Sequence, residues 1–269
     1  MKKVEVNSEE LKKLLDGKHS QKEIAKVFGL KKRQAIAKRI KEYNLSHLPT
    51  KGKWKSFNEN YFETIDNEEK AYWLGMIAAD GSLYTPPPRY KRKRINLSLA
   101  EKDLKHLKKF GKAIEANFEP RKRSRKLNGK VFYRYRYLLS SNKMYYDLIN
   151  KGILERKSLV LEPPKNVSMD LIRHWIRGYF DGDGCIHLNK YKRGIVSIAG
   201  TESVMNFIKE IVGFGWVNCS IKGRKNPLYS YRVNSMNEVE KFMVYLYKGS
   251  TISLDRKRKI FGGVYGPLN

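Results

Sequence analysis

Apolar positions along this chain change period several times, and each change marks an element. Over residues 8–16 (SEELKKLLD), Leu11, Leu14 and Leu15 recur at helical spacing behind Ser8, whose hydroxyl suits a helix start. Ser20 opens a second helix with Gln21 and Glu23 in its first turn, and Ile24, Val27 and Leu30 are the expected buried positions. A turn follows near Phe28 and Gly29, then a third helix from about Lys31 to Tyr43 with Ala35, Ile36 and Ile40 facing inward. This is a helix-turn-helix pattern, so residues 1–45 are expected to form a small all-α domain. Residues 46–60 (SHLPTKGKWKSFNEN) show little periodicity and read as a linker, after which Tyr61, Phe62, Ile65 and Tyr72 return the chain to a core.

Beyond the linker the pattern runs through one cycle and then repeats it. Residues 72–81 read YWLGMIAADG and residues 175–184 read WIRGYFDGDG. In each apolar run a glycine is followed four positions later by another small residue, Gly75 with Ala79 and Gly178 with Gly182, which places each pair on one helix face. Facing surfaces that carry only hydrogens or methyl groups let two helix backbones approach closely. After the first copy, Ser82–Thr85 and the alternating Ile95, Leu97 and Leu99 predict a hairpin across Pro86–Pro88. A helix from Glu101 to about Ala116 carries Leu104, Leu107, Phe110 and Ile114 on one stripe; a basic turn over 117–122, a strand over Val131–Ser140 and a short helix with Met144, Tyr145 and Leu148 complete the cycle. After the second copy come strands at Cys185–Asn189 and Ile195–Ala199, a helix at Glu202–Val212, strands at Trp216–Ile221 and Tyr229–Asn234, and a helix at Asn237–Tyr247. The expected fold class is α+β: two pseudo-symmetric αββαββα units, 61–165 and 166–269, joined through their first helices so that two antiparallel sheets form a saddle, beside the small N-terminal all-α domain.

Charge adds a partner to this picture. The 269 residues include 56 Lys plus Arg against 27 Asp plus Glu, a formal net charge of +29, which predicts phosphate as the partner, as in double-stranded DNA, although ribosomal and membrane-surface proteins are basic as well. A hydrophobic content of 41% with 12% aromatics supports a packed core and sets aside a disordered basic tail. No apolar run approaches the roughly 18 residues of a membrane span, and the start MKKVEVNSEELKK lacks a secretory signal's apolar centre. The expectation is a monomer in the cytoplasm or the host's DNA-containing compartment, neither secreted nor membrane-bound. Cys185 and Cys219 have no CxxC or ligand-spaced histidine and are read as reduced thiols, and the scattered His19, His47, His106, His174 and His187 are given no catalytic role.

The cations sit where DNA would be met. In the third helix Lys32, Arg33 and Gln34 occupy the half that enters the major groove in helix-turn-helix proteins, although a small hairpin with a solvated basic face has the same pattern. Lys51, Lys53 and Lys55 of the linker either follow a groove or belong to a plain tether. On the sheets, the outward faces are assigned Arg92, Arg94, Asn96, Ser98, Arg134 and Arg136 in the first unit, and Lys190, Lys192, Ser197, Arg224, Tyr229, Tyr231 and Arg232 in the second.

Each apolar helix ends in Asp-Gly, at Asp80 and Asp183. If the helices meet through their small residues, both carboxylates lie at one end, beside the partial negative charge of two helix C-termini. They repel there unless a divalent cation sits between them, and oxygen-only ligands suit Mg²⁺, in two or more ions. Here the sequence resembles the LAGLIDADG homing endonucleases in their single-chain, two-motif form: Trp73–Gly81 (WLGMIAADG) and Ile176–Gly184 (IRGYFDGDG) look like the two motifs, and the resemblance covers roughly residues 60–262. It implies that Asp80 and Asp183 are the catalytic, metal-binding acids; Ala78 replaces the motif's first Asp, which in the family is not the metal ligand. Both units also end in Leu-acid-Arg-Lys, at Leu154–Lys157 and Leu254–Lys257, and the resemblance places Lys157 and Lys257 beside the scissile phosphates. The residues alone also allow two basic helix starts. The function implied is a sequence-specific endonuclease making metal-dependent double-strand cuts in DNA, serving intron homing. The rivals are a relative that binds nucleic acid without cleaving it, as an intron maturase or transcription regulator, and a purely structural basic protein.

Overall fold

The computed structural model describes residues 6–16, 19–45, 48, 55–89, 92–188, 194–219 and 227–265. The chain divides into two units, an N-terminal one (residues 1–57 with 115–118) and a larger one holding the rest.

In the N-terminal unit, α1 (Ser8–Leu14), α2 (Gln21–Val27) and α3 (Arg33–Glu42) pack around Leu11, Leu15, Ile24, Ile36 and Ile40. Asn7 rather than Ser8 caps α1, its Oδ1 accepting the Glu9 N–H at 2.8 Å and the Glu10 N–H at 3.3 Å. Ser20 and Glu23 form a reciprocal capping box on α2. Val27, expected inside, is 64% exposed. Helix α2 is only two turns long, and Ile24 and Ala25 supply its buried face instead.

The larger unit holds two successive repeats. The first runs α4 (Glu68–Asp80), β1 (Gly81–Tyr84), β2 (Arg94–Ala100), α5 (Leu104–Ala113), β3 (Arg121–Leu127), β4 (Lys130–Ser140) and α6 (Asn142–Asn150). The second runs α7 (Met169–Asp183), β5 (Gly184–Leu188), β6 (Gly194–Gly200), α8 (Glu202–Val212), β7 (Trp216–Cys219), β8 (Tyr229–Val233) and α9 (Met236–Tyr247), and α10 (Asp255–Tyr265) follows. Each repeat forms a four-stranded antiparallel sheet, ordered β1-β2-β4-β3 and β5-β6-β8-β7. The order αββαββα is the one expected, with one correction: the basic turn assigned to 117–122 gives way at Arg121 to β3, which pairs with β4 along its whole length.

Helix α4 is buried on all sides from Ala71 to Ala78, as a helix apolar all round must be, and it packs on α7. The small residues make that approach possible. A Cβ on Gly75 would fall on the Trp175 carbonyl oxygen and lie 2.9 Å from the Tyr179 nitrogen; a Cβ on Gly178 would fall on the Tyr72 carbonyl oxygen and lie 2.9 Å from the Met76 nitrogen. The two contacts are mirror counterparts in the repeat. One turn on, a Cβ at Gly182 would strike the Ala79 methyl.

Both helices run directly into strands through Gly81 and Gly184, and neither glycine is left-handed: φ is −83° and −80°. Their smallness is what matters, because a Cβ at Gly81 would lie 2.6 Å from the Ile77 carbonyl oxygen, and one at Gly184 would collide with the Phe180 ring.

Two buried polar groups on α7 tie this interface to the chain before α10. Arg177 is fully buried, with Nη2 2.5 Å from Glu68 Oε1, Nε donating to the Ile252 carbonyl at 2.9 Å and Nη1 to the Leu246 carbonyl at 3.0 Å. Asp181, the counterpart of Ala78, accepts the hydroxyl protons of Tyr72 at 2.8 Å and Tyr247 at 2.6 Å and the Leu254 N–H at 2.7 Å. A buried carboxylate is tolerable only when its lone pairs are so occupied.

Candidate active centre and nucleic-acid interface

Asp80 and Asp183 are the last residues of α4 and α7. The close approach at Ala79 and Gly182 brings these ends together: a Cβ on Gly182 would lie 3.4 Å from Asp80 Oδ2. Asp183 is open to solvent on one side and enclosed by protein on the other. Desolvation, then the Asp80 charge, pushes its carboxyl up to about 6 against the pull of Lys157 and Lys257. Asp80 is raised too, by desolvation first, with Arg134 as the strongest opposing influence. Carboxyls raised in this way attract a cation.

Lys157 and Lys257 are buried, at 7% and 3% exposure, and each seats its ammonium on a helix end. Lys157 Nζ donates to the Ala79 carbonyl at 2.7 Å. Lys257 Nζ donates to the Phe180 carbonyl at 2.5 Å and also to that of Gly184. Placed on carbonyls at the two helix ends, the ammoniums offset the negative ends of both helices. Burial lowers both lysines, Lys257 to about 8, while the acids pull them back up. Lys157 follows Arg156, whose φ of +53° turns the chain back onto α4; Lys257 sits in the first turn of α10.

The donor set suits a hard divalent cation of the Mg²⁺ kind. Among the described residues no group of three or more His, Cys, Asp or Glu could hold a metal. Mg²⁺ commonly takes one or two carboxylates and completes its shell with water and substrate phosphate, which fits two aspartates at an open rim.

The sheets differ in what they present. On β2, Ile95, Leu97 and Leu99 face the helices, while Arg94, Asn96 and Ser98 lie on the other face. Arg136 pairs across from Ser98 and Arg121, and Arg134 across from Ala100 and Arg123, so that face stacks guanidiniums opposite one another. Like charges directly opposite destabilise a sheet unless an anion meets them. Arg121, Arg123 and Arg125 were not among the residues assigned from sequence, although the run of cations over 121–136 marks their neighbourhood. Arg92 precedes β2 and pairs with Glu59 at 3.1 Å, with 63% of its side chain still exposed.

In the second sheet Ser197 and Arg232 are cross-strand neighbours and Arg232 is exposed. Tyr231 is fully buried, its hydroxyl donating to the Phe214 carbonyl at 3.1 Å, because it shares the helix-facing register with Ile198; it is not a DNA-facing residue. Tyr229 shares that parity and hydrogen bonds Glu202. Lys190, Lys192 and Arg224 lie outside the described residues. In the N-terminal unit Lys32, Arg33 and Gln34 are all exposed at the start of α3, with Lys32 at the N-cap position.

No helix among the described residues is long and apolar enough to cross a membrane. Comparison with known proteins gives a family match over part of the chain: residues 170–246 match the model of a LAGLIDADG-like domain. No curated protein matches. The LAGLIDADG homing endonuclease I-LtrWI, crystallised bound to target DNA, superimposes with a TM-score of 0.51 at 14% identity, over 76% of this chain and 88% of its own. I-SmaMI bound to cleaved DNA aligns over 74% and 87% (TM-score 0.47, 14% identity), and mesophilic variants of I-DmoI over 70% and 96% (TM-score 0.44, 20% identity). The first superposition carries the fold assignment. This chain therefore contains a LAGLIDADG-like domain at residues 170–246 and has the fold of the LAGLIDADG homing endonucleases.

Proposed function

We propose that this protein is a site-specific DNA endonuclease that cuts both strands of its target in one centre shared by the two repeats. The observation that carries the reading is the meeting of Asp80 and Asp183 at the ends of two helices in backbone contact, each end backed by a buried lysine. Such a site has little use for a protein that only binds. I-LtrWI, with the same fold, was crystallised on its DNA target.

Asp80 and Asp183 would hold the divalent ions, Mg²⁺ by the chemistry of the donors. Bound there, Mg²⁺ supplies Lewis acidity that activates water and stabilises the leaving 3′ oxygen. The protein's own residues do the rest. The α4–α7 contact fixes the distance between the acids. Lys157 and Lys257 hold the helix ends in place and set a positive charge beside the phosphates, where charge develops during hydrolysis. The guanidinium face of the first sheet and the Ser197–Arg232 face of the second lie against the grooves and read the target. Lys32, Arg33 and Gln34 of α3 extend the footprint as a helix-turn-helix module. Because both repeats sit in one chain, a monomer contains the whole centre.

The test is selection of cut sites from a random duplex library with Mg²⁺ present. Recovery of one asymmetric site cut on both strands supports the reading. A protein that enriches a bound sequence but leaves it intact is a binding relative, and one that does neither is a structural basic protein.

A further inference from the structure

The two ends of the α4–α7 pair are not chemically alike. Gly81 pairs with Leu97 and Gly184 with Ile198, so Ala100 and Thr201 occupy the same place in the two repeats, three residues further on. Opposite Ala100 stands Arg134. Gly200 pairs with Tyr229, and counting back from Tyr231, the counterpart of Tyr137, the place that Arg134 holds in the first repeat falls on Leu228, just before β8. A guanidinium in one repeat thus corresponds to an isobutyl group in the other, each beside its own acid.

The surroundings follow from that exchange. Arg134 Nη2 lies 3.4 Å from Asp80 Oδ1 and donates to the Ser98 carbonyl at 2.7 Å. A guanidinium has five N–H donors in a rigid fork. Both contacts use Nη2, so Nε and Nη1 have no partner among the described residues. Arg134 lines a groove of about 400 Å³ together with Asp80, Arg125, Phe132 and Arg256. Arg256 is engaged by Asp103 at 2.8 and 3.1 Å, whereas Arg134 is half-exposed and bound at one nitrogen only. Beside Asp183 the pocket is smaller, about 180 Å³, and Leu228, Lys157 and Thr201 are among its lining residues. Asp183 makes no ion pair with an arginine among the described residues.

We propose that Arg134 clamps the scissile phosphate on the Asp80 side, that the Asp183 side has no such group among the described residues, and that the two DNA strands are cut at unequal rates as a result. The proposal rests on the endonuclease reading and deepens it. In the hydrolysis the bond from phosphorus to the 3′ oxygen breaks and a water oxygen bonds to phosphorus. One water proton ends on the 3′ oxygen and the other leaves to solvent, giving a 3′ hydroxyl and a 5′ phosphate. Negative charge gathers on the non-bridging oxygens on the way, and a fork anchored at one end and free at the other is placed to meet it. Arg134, assigned from sequence to the DNA-facing side of the sheet, takes this role in addition.

The experiment uses the full chain on a library-selected duplex labelled on each strand in turn, with single-turnover rates in Mg²⁺ and dissociation constants in Ca²⁺. Arg134→Leu copies the other repeat. The expected result is a loss of about 100-fold in the rate on one strand, with the other strand within about twofold once the duplex is saturated with protein, so nicked duplex accumulates. Arg134→Lys, which keeps the charge without the fork, should fall between. Equal slowing of both strands with weaker binding would make Arg134 a DNA-binding residue and overturn the proposal, as would no slowing of either strand. If the wild-type protein cuts no selected duplex, the endonuclease reading falls and this proposal with it; wild-type cutting with a symmetric Arg134→Leu defect sinks this proposal alone.

Discussion

Single residues in this core act through what they leave out or what they neutralise. At Gly75 the missing side chain is the contact itself, since any Cβ would meet the Trp175 backbone rather than a side chain that could turn away. Gly75→Ala should destabilise the protein by about 3 kcal/mol or more, at the upper end of overpacking, because backbone cannot repack. Urea unfolding checks this, and a cost below about 1 kcal/mol would mean the helices slide apart freely. His106 shows the opposite behaviour, a polar ring held neutral. It is 4% exposed, sits 2.7 Å from the Tyr72 hydroxyl through Nε2, and is lowered to about 4 by burial. A histidine depressed in the folded state is protonated first in the unfolded chain. Its contribution is therefore whole above pH 6.5 and is lost as pH falls toward 4, on the order of 3 kcal/mol in all. His106→Gln should be less stable at pH 7 yet lose less stability between pH 7 and 4.5 than the wild type. Equal losses would place the ring in a hydrated environment.

At the scale of elements, what could be read from sequence depended on whether a periodic apolar signal existed. Ile95, Leu97 and Leu99 alternate and announce β2, and the two Gly-xxx-small helices are visible as a repeat. Strand β3 gives no such signal: its seven residues, RKRSRKL, are all exposed, and only pairing with β4 defines it. Tyr231 misleads for a related reason, since its hydroxyl marks it as polar while its ring faces Phe242 in the core. Arg177 and Asp181 were silent because charged letters in an apolar helix read as its solvent side, whereas both are buried and joined to the segment before α10. The acids and lysines were legible because they occur twice at matching places. The inequality of their surroundings was not, because Arg134 and Leu228 become counterparts only through strand register.

For the whole molecule, one N-terminal unit carried by a chain with two repeats should make the DNA target asymmetric. Deleting residues 1–50 should weaken binding and shorten the protected footprint at one end only, with the cutting chemistry kept. An unchanged footprint would remove α3 from the interface. With a net charge of +29, binding should also weaken steeply as salt rises and counterions compete for the phosphates. Whether Asp80 and Asp183 form one centre is decided by strand-resolved cleavage of the selected duplex by Asp80→Asn and Asp183→Asn in Mg²⁺. Each single variant is expected to bind the duplex with unchanged affinity in Ca²⁺ and to cut neither strand; nicking of either strand at the wild-type rate would require two independent sites instead.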